Sequence, residues 1–197
     1  MTLLIDRRLV HTQCVHRYWL LTWTTYATRL PGDRRGFVST VRSASGARRR
    51  NNTPGTPFDR DLPALRESAR RSLRQPPVFL APEQARVVER ELRATSEIRS
   101  WALPAGAVMA NHVHAVVGLT SPGDTADAAR ATGRFKAFAS RELNRQFERR
   151  PTWWTQGGSR RLLRDEAAVG AAIRYVANQY ACLALYVDDE WRALLGL

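Results

Sequence analysis

The alternation of apolar and polar residues divides the chain into a small number of elements. Residues 17–26, RYWLLTWTTY, are dense in aromatic and β-branched side chains and read as a buried strand, closed by the turn chemistry of Leu30-Pro31-Gly32-Asp33. After Pro76-Pro77 the period becomes helical. Pro82 suits a first-turn position, and Val87, Val88, Glu91 and Leu92 follow at helix spacing, so a helix is expected to about residue 96. Two strands are expected at 101–109 and 112–119 around a tight bend. A second helix is expected over 125–147, burying Ala128, Ala131, Phe135, Phe138 and Leu143, and a third over 165–180. The run Leu183-Ala-Leu-Tyr-Val is short enough to dock as a strand, while residues 1–15 read as a tail or edge segment.

The order strand, helix, strand, strand, helix, helix implies an α+β fold, with helices packed on one face of an antiparallel sheet. At 197 residues this makes one domain, spanning 1–197. The stretch at about 43–61, SASGARRRNNTPGTPFDRD, combines Gly, Pro, Asn and Ser with an arginine triplet and reads as a flexible basic loop. No run of 18 apolar residues occurs, so no membrane partner is expected. Asp6, Arg7 and Arg8 stand where a signal peptide needs an apolar run, so a cytoplasmic location is expected. Cys14 and Cys182 lack a partner motif and read as reduced thiols.

Charge changes this picture more than composition does. The net charge is +13, and 30 of the 31 basic residues are Arg, Lys136 being the exception. Between Arg29 and Arg74 lie twelve Arg and four acids, which is +8 of the total. Such an excess on a small domain selects a polyanionic partner, most often nucleic acid. Arg48, Arg49 and Arg50, with Arg160, Arg161 and Arg164, are candidate contacts to a phosphate backbone. Trp153 and Trp154 can serve either as base-stacking platforms or as core.

Two patterns carry chemistry. In Met109-Ala-Asn-His-Val-His-Ala-Val-Val-Gly118, His112 and His114 lie two apart on an expected strand, so both rings leave the same face, with Cα atoms about 7 Å apart. Neutral imidazoles so placed can share a divalent metal, although paired histidines also occur as core or surface residues. In Ile173-Arg-Tyr-Val-Ala-Asn-Gln-Tyr180, Tyr175 and Gln179 are four apart on an expected helix. A phenol of ordinary pKa is about 0.1% ionised at neutral pH, so a tyrosine nucleophile needs activation. An isolated tyrosine is more commonly a core-edge residue.

Together with further segments, these residues resemble the single-tyrosine HUH transposases, the insertion-sequence-200-type and REP-associated tyrosine transposases. The likeness spans Leu21-Thr-Trp-Thr-Thr-Tyr-Ala-Thr-Arg-Leu-Pro-Gly-Asp-Arg-Arg-Gly-Phe-Val38 and Val108-Met-Ala-Asn-His-Val-His114. It continues through Gly133-Arg-Phe-Lys-Ala-Phe138, Trp154-Thr-Gln-Gly-Gly-Ser-Arg-Arg161 and Tyr175-Val-Ala-Asn-Gln179. Ala110 departs from the proline usual before the His-hydrophobic-His triplet, and Tyr180 offers a rival nucleophile.

The resemblance implies a ferredoxin-like (RRM-like) sheet. It also implies a metal site of His112, His114 and Gln179 holding Mg²⁺ or Mn²⁺, and Tyr175 as catalytic nucleophile. The implied activity is metal-dependent cleavage and strand transfer on single-stranded DNA bearing hairpins or palindromic repeats, through a 5′-phosphotyrosine. A non-catalytic single-strand or hairpin binder on the same fold is the alternative, and a water-using phosphodiesterase a third. Relatives of this kind occur as homodimers and as monomers, and the resemblance leaves both open.

Overall fold

The computed structural model describes residues 17–33, 40–42, 48–50, 62–120 and 123–197. The main sheet holds β1 (Arg17–Thr24), β4 (Ala102–Val108), β5 (His112–Leu119), β6 (Ser159–Leu163) and β7 (Ala184–Val187), in the order β6-β1-β5-β4-β7. Every neighbouring pair is antiparallel. The helices are α1 (Pro63–Arg71), α2 (Pro82–Ile98), α3 (Thr125–Gln146), α4 (Glu166–Ala177) and α5 (Asp189–Leu195). The fold is α+β. Chain order β1-α2-β4-β5-α3-β6 with β5 inserted between β1 and β4 is the ferredoxin-like arrangement, to which β7 adds a strand beside β4.

Register explains how the sheet divides its side chains. Trp19, Leu21 and Trp23 of β1 and Val113, Ala115, Val117 and Leu119 of β5 face one side. There they meet Val87, Val88 and Leu92 of α2 and Ala131, Phe135, Ala139 and Leu143 of α3. Both helices start on side-chain caps. The Ala81 N–H donates to Gln84 Oε1 before Pro82, and Asp124 and Asp127 exchange bonds with each other's backbone N–H. Phe138, expected in the core, is only half-buried and lies under the Arg141 guanidinium; Ala139 takes the inward position.

The expectation of helices on one face holds for α2 and α3 and needs correcting for α4; α5 was not expected at all. Val169, Ala172, Ile173 and Val176 of α4 pack on the other face, against Ala105, Ala107, Val116, Leu163 and Val187, with Trp191 and Leu195 of α5 alongside. Strands β4 and β5 are apolar at consecutive positions, which is what a sheet covered on both sides requires.

The triplet Arg48–Arg50 is strand β3, paired with β2 (Thr40–Arg42) in a separate two-stranded ribbon, rather than loop. The rest of the expected 43–61 loop, and Cys14 and the 1–15 segment, lie outside the described residues. Among the described residues no helix is long and apolar enough to cross a membrane.

Gly133 sits in the interior of the 22-residue α3, where a Cβ would meet nothing within 4 Å. Glycine costs a helix interior about 1 kcal/mol relative to alanine. Gly133→Ala is therefore expected to raise Tm by about 2–4 °C in a thermal melt.

Candidate functional site

Strand β5 places His112 and His114 on the α4 side of the sheet, with Thr24 and Thr22 opposite them on β1. The bend before them is tied on both sides: Leu80 N–H donates to the Ala110 carbonyl at 2.7 Å, and Thr25 N–H to that of Asn111 at 3.0 Å. Helix α4 covers the middle of this face and ends beside the histidines. Its last turn brings the Tyr175 hydroxyl 3.3 Å from His114 Nε2, with the two rings 5.2 Å apart. The imidazoles themselves are nearly perpendicular, with centroids 4.9 Å apart.

Each ring is oriented through its other nitrogen. His114 Nδ1 is 2.7 Å from Thr22 Oγ1, and His112 Nδ1 is 2.6 Å from Asn111 Oδ1. Because Asn111 Oδ1 can only accept, His112 carries its proton on Nδ1 and leaves the Nε2 lone pair outward. Thr22 and Asn111 are site residues that sequence reasoning missed. Thr22 becomes visible only once the β1–β5 register is known, whereas Asn111 stood within the quoted motif.

Both imidazoles are kept neutral. Burial is the main cause for His112, followed by the Arg29 charge, and it is held at about 4. His114 is 5% exposed and also held at about 4, by burial first, then by His112 and Arg29. Arg29, in the sequence only the first of the basic residues of 29–74, is brought near the histidines by the turn after β1.

These values fix a pH dependence. The unfolded chain binds protons on both histidines below about 6.5, while the folded protein refuses them until about 4. Stability is thus complete above about 6.5 and falls as the pH drops toward 4. The loss is on the order of 3 kcal/mol after discounting for partial exposure. Urea titrations in EDTA at several pH values should show this decline, and replacing His114 with Asn should flatten it.

Gln179 does not share a helix with Tyr175. Helix α4 stops at Ala177 with Asn178 as its cap, and Gln179 Nε2 donates back to the Tyr175 carbonyl at 2.8 Å. A side chain thereby satisfies a last-turn carbonyl that no further helical N–H reaches. Tyr180, the rival nucleophile, is 96% exposed, and the ring against His114 is that of Tyr175.

The residues that could hold a cation are His112, through Nε2, and His114, whose Nε2 serves only once the Tyr175 hydroxyl 3.3 Å away gives up its hydrogen bond. Two neutral imidazoles with second nitrogens already bonded suit a divalent ion whose remaining positions are taken by water and phosphate oxygens. Among the described residues no group of three His, Cys, Asp or Glu could hold a metal.

Of the candidate backbone contacts, β6 sends its arginines to opposite faces. Arg161 pairs across from Leu20 on the His114 side, while Arg160 pairs across from Leu21 on the α3 side. Arg164 is exposed between β6 and α4. Trp153 and Trp154 are both buried, their Nε1 groups donating to Asn144 Oδ1 and the Lys136 carbonyl, so both are core rather than stacking platforms.

No protein-family profile matches the chain, and no curated protein sequence matches it. Among solved structures, a REP-associated tyrosine transposase bound to a REP hairpin superposes with a TM-score of 0.46 at 10% sequence identity. The match covers 82% of this chain and 65% of that one, so the chain spans under two thirds of the neighbour's length.

Proposed function

We propose that the protein is a metal-dependent single-stranded DNA endonuclease and strand transferase of the HUH tyrosine type, acting on hairpin-bearing DNA. The observation that carries this reading is the Tyr175 hydroxyl, half exposed, 3.3 Å from the Nε2 of a buried, neutral His114. A structural tyrosine has no need of that neighbour, and a pure binding surface has no need of the His112–His114 pair.

His112 and His114 would hold Mg²⁺ or Mn²⁺, which when bound supplies Lewis-acid polarisation of the scissile phosphate. Thr22 and Asn111 fix the two rings so that their Nε2 atoms face the site. The Arg29 guanidinium adds positive charge where the phosphate must lie. Tyr175 Oη attacks phosphorus: one P–O bond forms to the phenol oxygen, and the bond to the 3′-oxygen breaks. Net, the phenol proton ends on the departing 3′-oxygen, giving a 5′-phosphotyrosine and a free 3′-hydroxyl. Attack by another 3′-hydroxyl reverses these steps and rejoins strands without an external energy source. Gln179 is proposed as the remaining ligand; serving so requires its carbonyl oxygen, since its amide nitrogen is engaged with the Tyr175 carbonyl.

A second reading, a hairpin or single-strand binder without catalysis, is favoured by that engagement and by the lack of a third acidic or histidine ligand among the described residues. One experiment separates the two. Labelled single strands able to form hairpins, taken from DNA flanking the coding region, are incubated with protein and Mg²⁺ or Mn²⁺ and run on a denaturing protein gel. A covalent adduct that EDTA abolishes is expected. Hairpin binding with no adduct under either metal would establish the binder instead.

A further inference from the structure

Among the described residues, the exposed large aromatic side chains are Phe79, Tyr175 and Tyr180. All three lie at the His112 end of the main sheet. Tyr175 meets His114, and Tyr180 stands between the end of α4 and Leu183, whose N–H donates to the Val108 carbonyl at the end of β4. The six tryptophans are all buried or half-buried, so exposure of an aromatic ring is local to this end rather than general.

The placement of Phe79 follows from its neighbours. The N–H groups of Val78 and Leu80 donate to the carbonyls of Tyr26, at 2.9 Å, and Ala110, at 2.7 Å. Tyr26 and Ala110 continue the β1–β5 register two residues beyond the Thr24–His112 pair, which is about 7 Å along the strands. Residues 78–80 therefore run extended across the end of these two strands, with alternate N–H groups turned toward them. In an extended chain alternate side chains take opposite sides. Val78 and Leu80 are buried in the core shared with α2 and α3. The Phe79 ring is thereby turned to the other face, which carries His112, His114 and Tyr175, and it is 63% exposed there.

An exposed phenyl ring leaves its hydrophobic stabilisation unused until something covers it. A single ring is too small for a protein interface of ordinary size. The Arg29 charge reaches both histidines on this face, and the whole chain carries +13. A single nucleic-acid strand offers the anion that such charge attracts together with a flat apolar base.

We propose that Phe79 is a stacking platform for an unpaired base of single-stranded DNA, beside the nucleotide whose phosphate lies at His112 and Tyr175. The inference rests on the reading that single-stranded DNA crosses this face. Stacking accepts any base, so the platform sets which phosphate reaches Tyr175 by spacing rather than by sequence.

The test is equilibrium binding to the full chain in EDTA, at several salt concentrations, of two fluorescent strands. One is an oligothymidine of about 20 nucleotides, and the other is a strand of equal length whose sugars carry no bases. Phe79→Ala is expected to weaken oligothymidine binding about tenfold. The salt slope should not change, because no phosphate contact is lost, and affinity for the baseless strand should stay the same. Phe79→Trp should bind oligothymidine at least as tightly as the unaltered protein. Ile98→Ala, which removes a similarly exposed apolar side chain at the far end of α2, should change neither affinity. Oligothymidine affinity within twofold of the unaltered protein in Phe79→Ala would overturn the proposal. So would an equal loss on both strands, or no oligothymidine binding by the unaltered protein at low salt. Adduct formation needs metal and is measured separately. Its failure removes the catalytic reading and leaves this result standing, whereas an adduct formed equally well with no effect of Phe79→Ala on binding removes the stacking alone.

Discussion

Tyr175→Phe is expected to fold like the unaltered protein and to form no covalent adduct with single-stranded DNA. The ring packs on His114, and phenylalanine keeps that contact. The hydroxyl's hydrogen bond is to His114 Nε2, at a half-exposed position where water can take over. Thermal stability should therefore change by well under about 1 kcal/mol, as exposed substitutions generally do. Activity has no such replacement, because the hydroxyl oxygen is the atom that bonds to phosphorus. Adduct formation should drop by at least about a thousandfold, which corresponds to more than about 4 kcal/mol of transition-state free energy. Phosphodiester hydrolysis that persists in the variant would instead identify water as the nucleophile.

The largest effect on stability is expected at Phe135. It is fully buried, stacks on Trp23 at 6.2 Å and 7°, and meets the edge of Trp101 at 5.6 Å. Phe135→Ala removes the ring joining α3 to both β1 and the start of β4. The cost should be about 3–5 kcal/mol, a large share of the roughly 5–15 kcal/mol that holds a domain together. A urea titration measures it as a fall in the midpoint. Because Lys136 follows directly on the same helix, the 152–158 segment should loosen along with the core.

The long amphipathic and continuously apolar segments were legible in the sequence for a plain reason: their burial dictates their pattern. β1, β4, β5, α2 and α3 all fall close to where their periodicity places them. The elements that went unread are those with little buried surface. Helix α1 buries none of its residues, and β6, Ser159–Leu163, carries two arginines in the middle of five residues. Strand β3 is written entirely in arginine inside a stretch of turn residues, which reads as loop, and its partner β2 is only three residues long.

At the candidate site, the His112–His114 pairing followed from strand parity alone. The end of α4 did not. A spacing of four looks helical whether or not the helix continues, and here Gln179 uses its side chain to close the helix. Register and tertiary proximity, which bring Thr22 and Arg29 to the histidines, leave no trace in local pattern.

The position of β6 has a consequence for solubility. Among the described strands β6 is terminal; such a strand offers its outer backbone groups to any other strand, and charged side chains are a common guard against such pairing. Ser159, Arg160 and Arg161 give this edge a charged, hydrophilic half, followed by the apolar Leu162 and Leu163. The arginines proposed to attract a nucleic acid therefore also repel a second copy of the same edge. Stripping both charges from β6 would convert an electrostatically guarded edge into one prone to sheet-to-sheet association, and bound polyanion would mask the same guard.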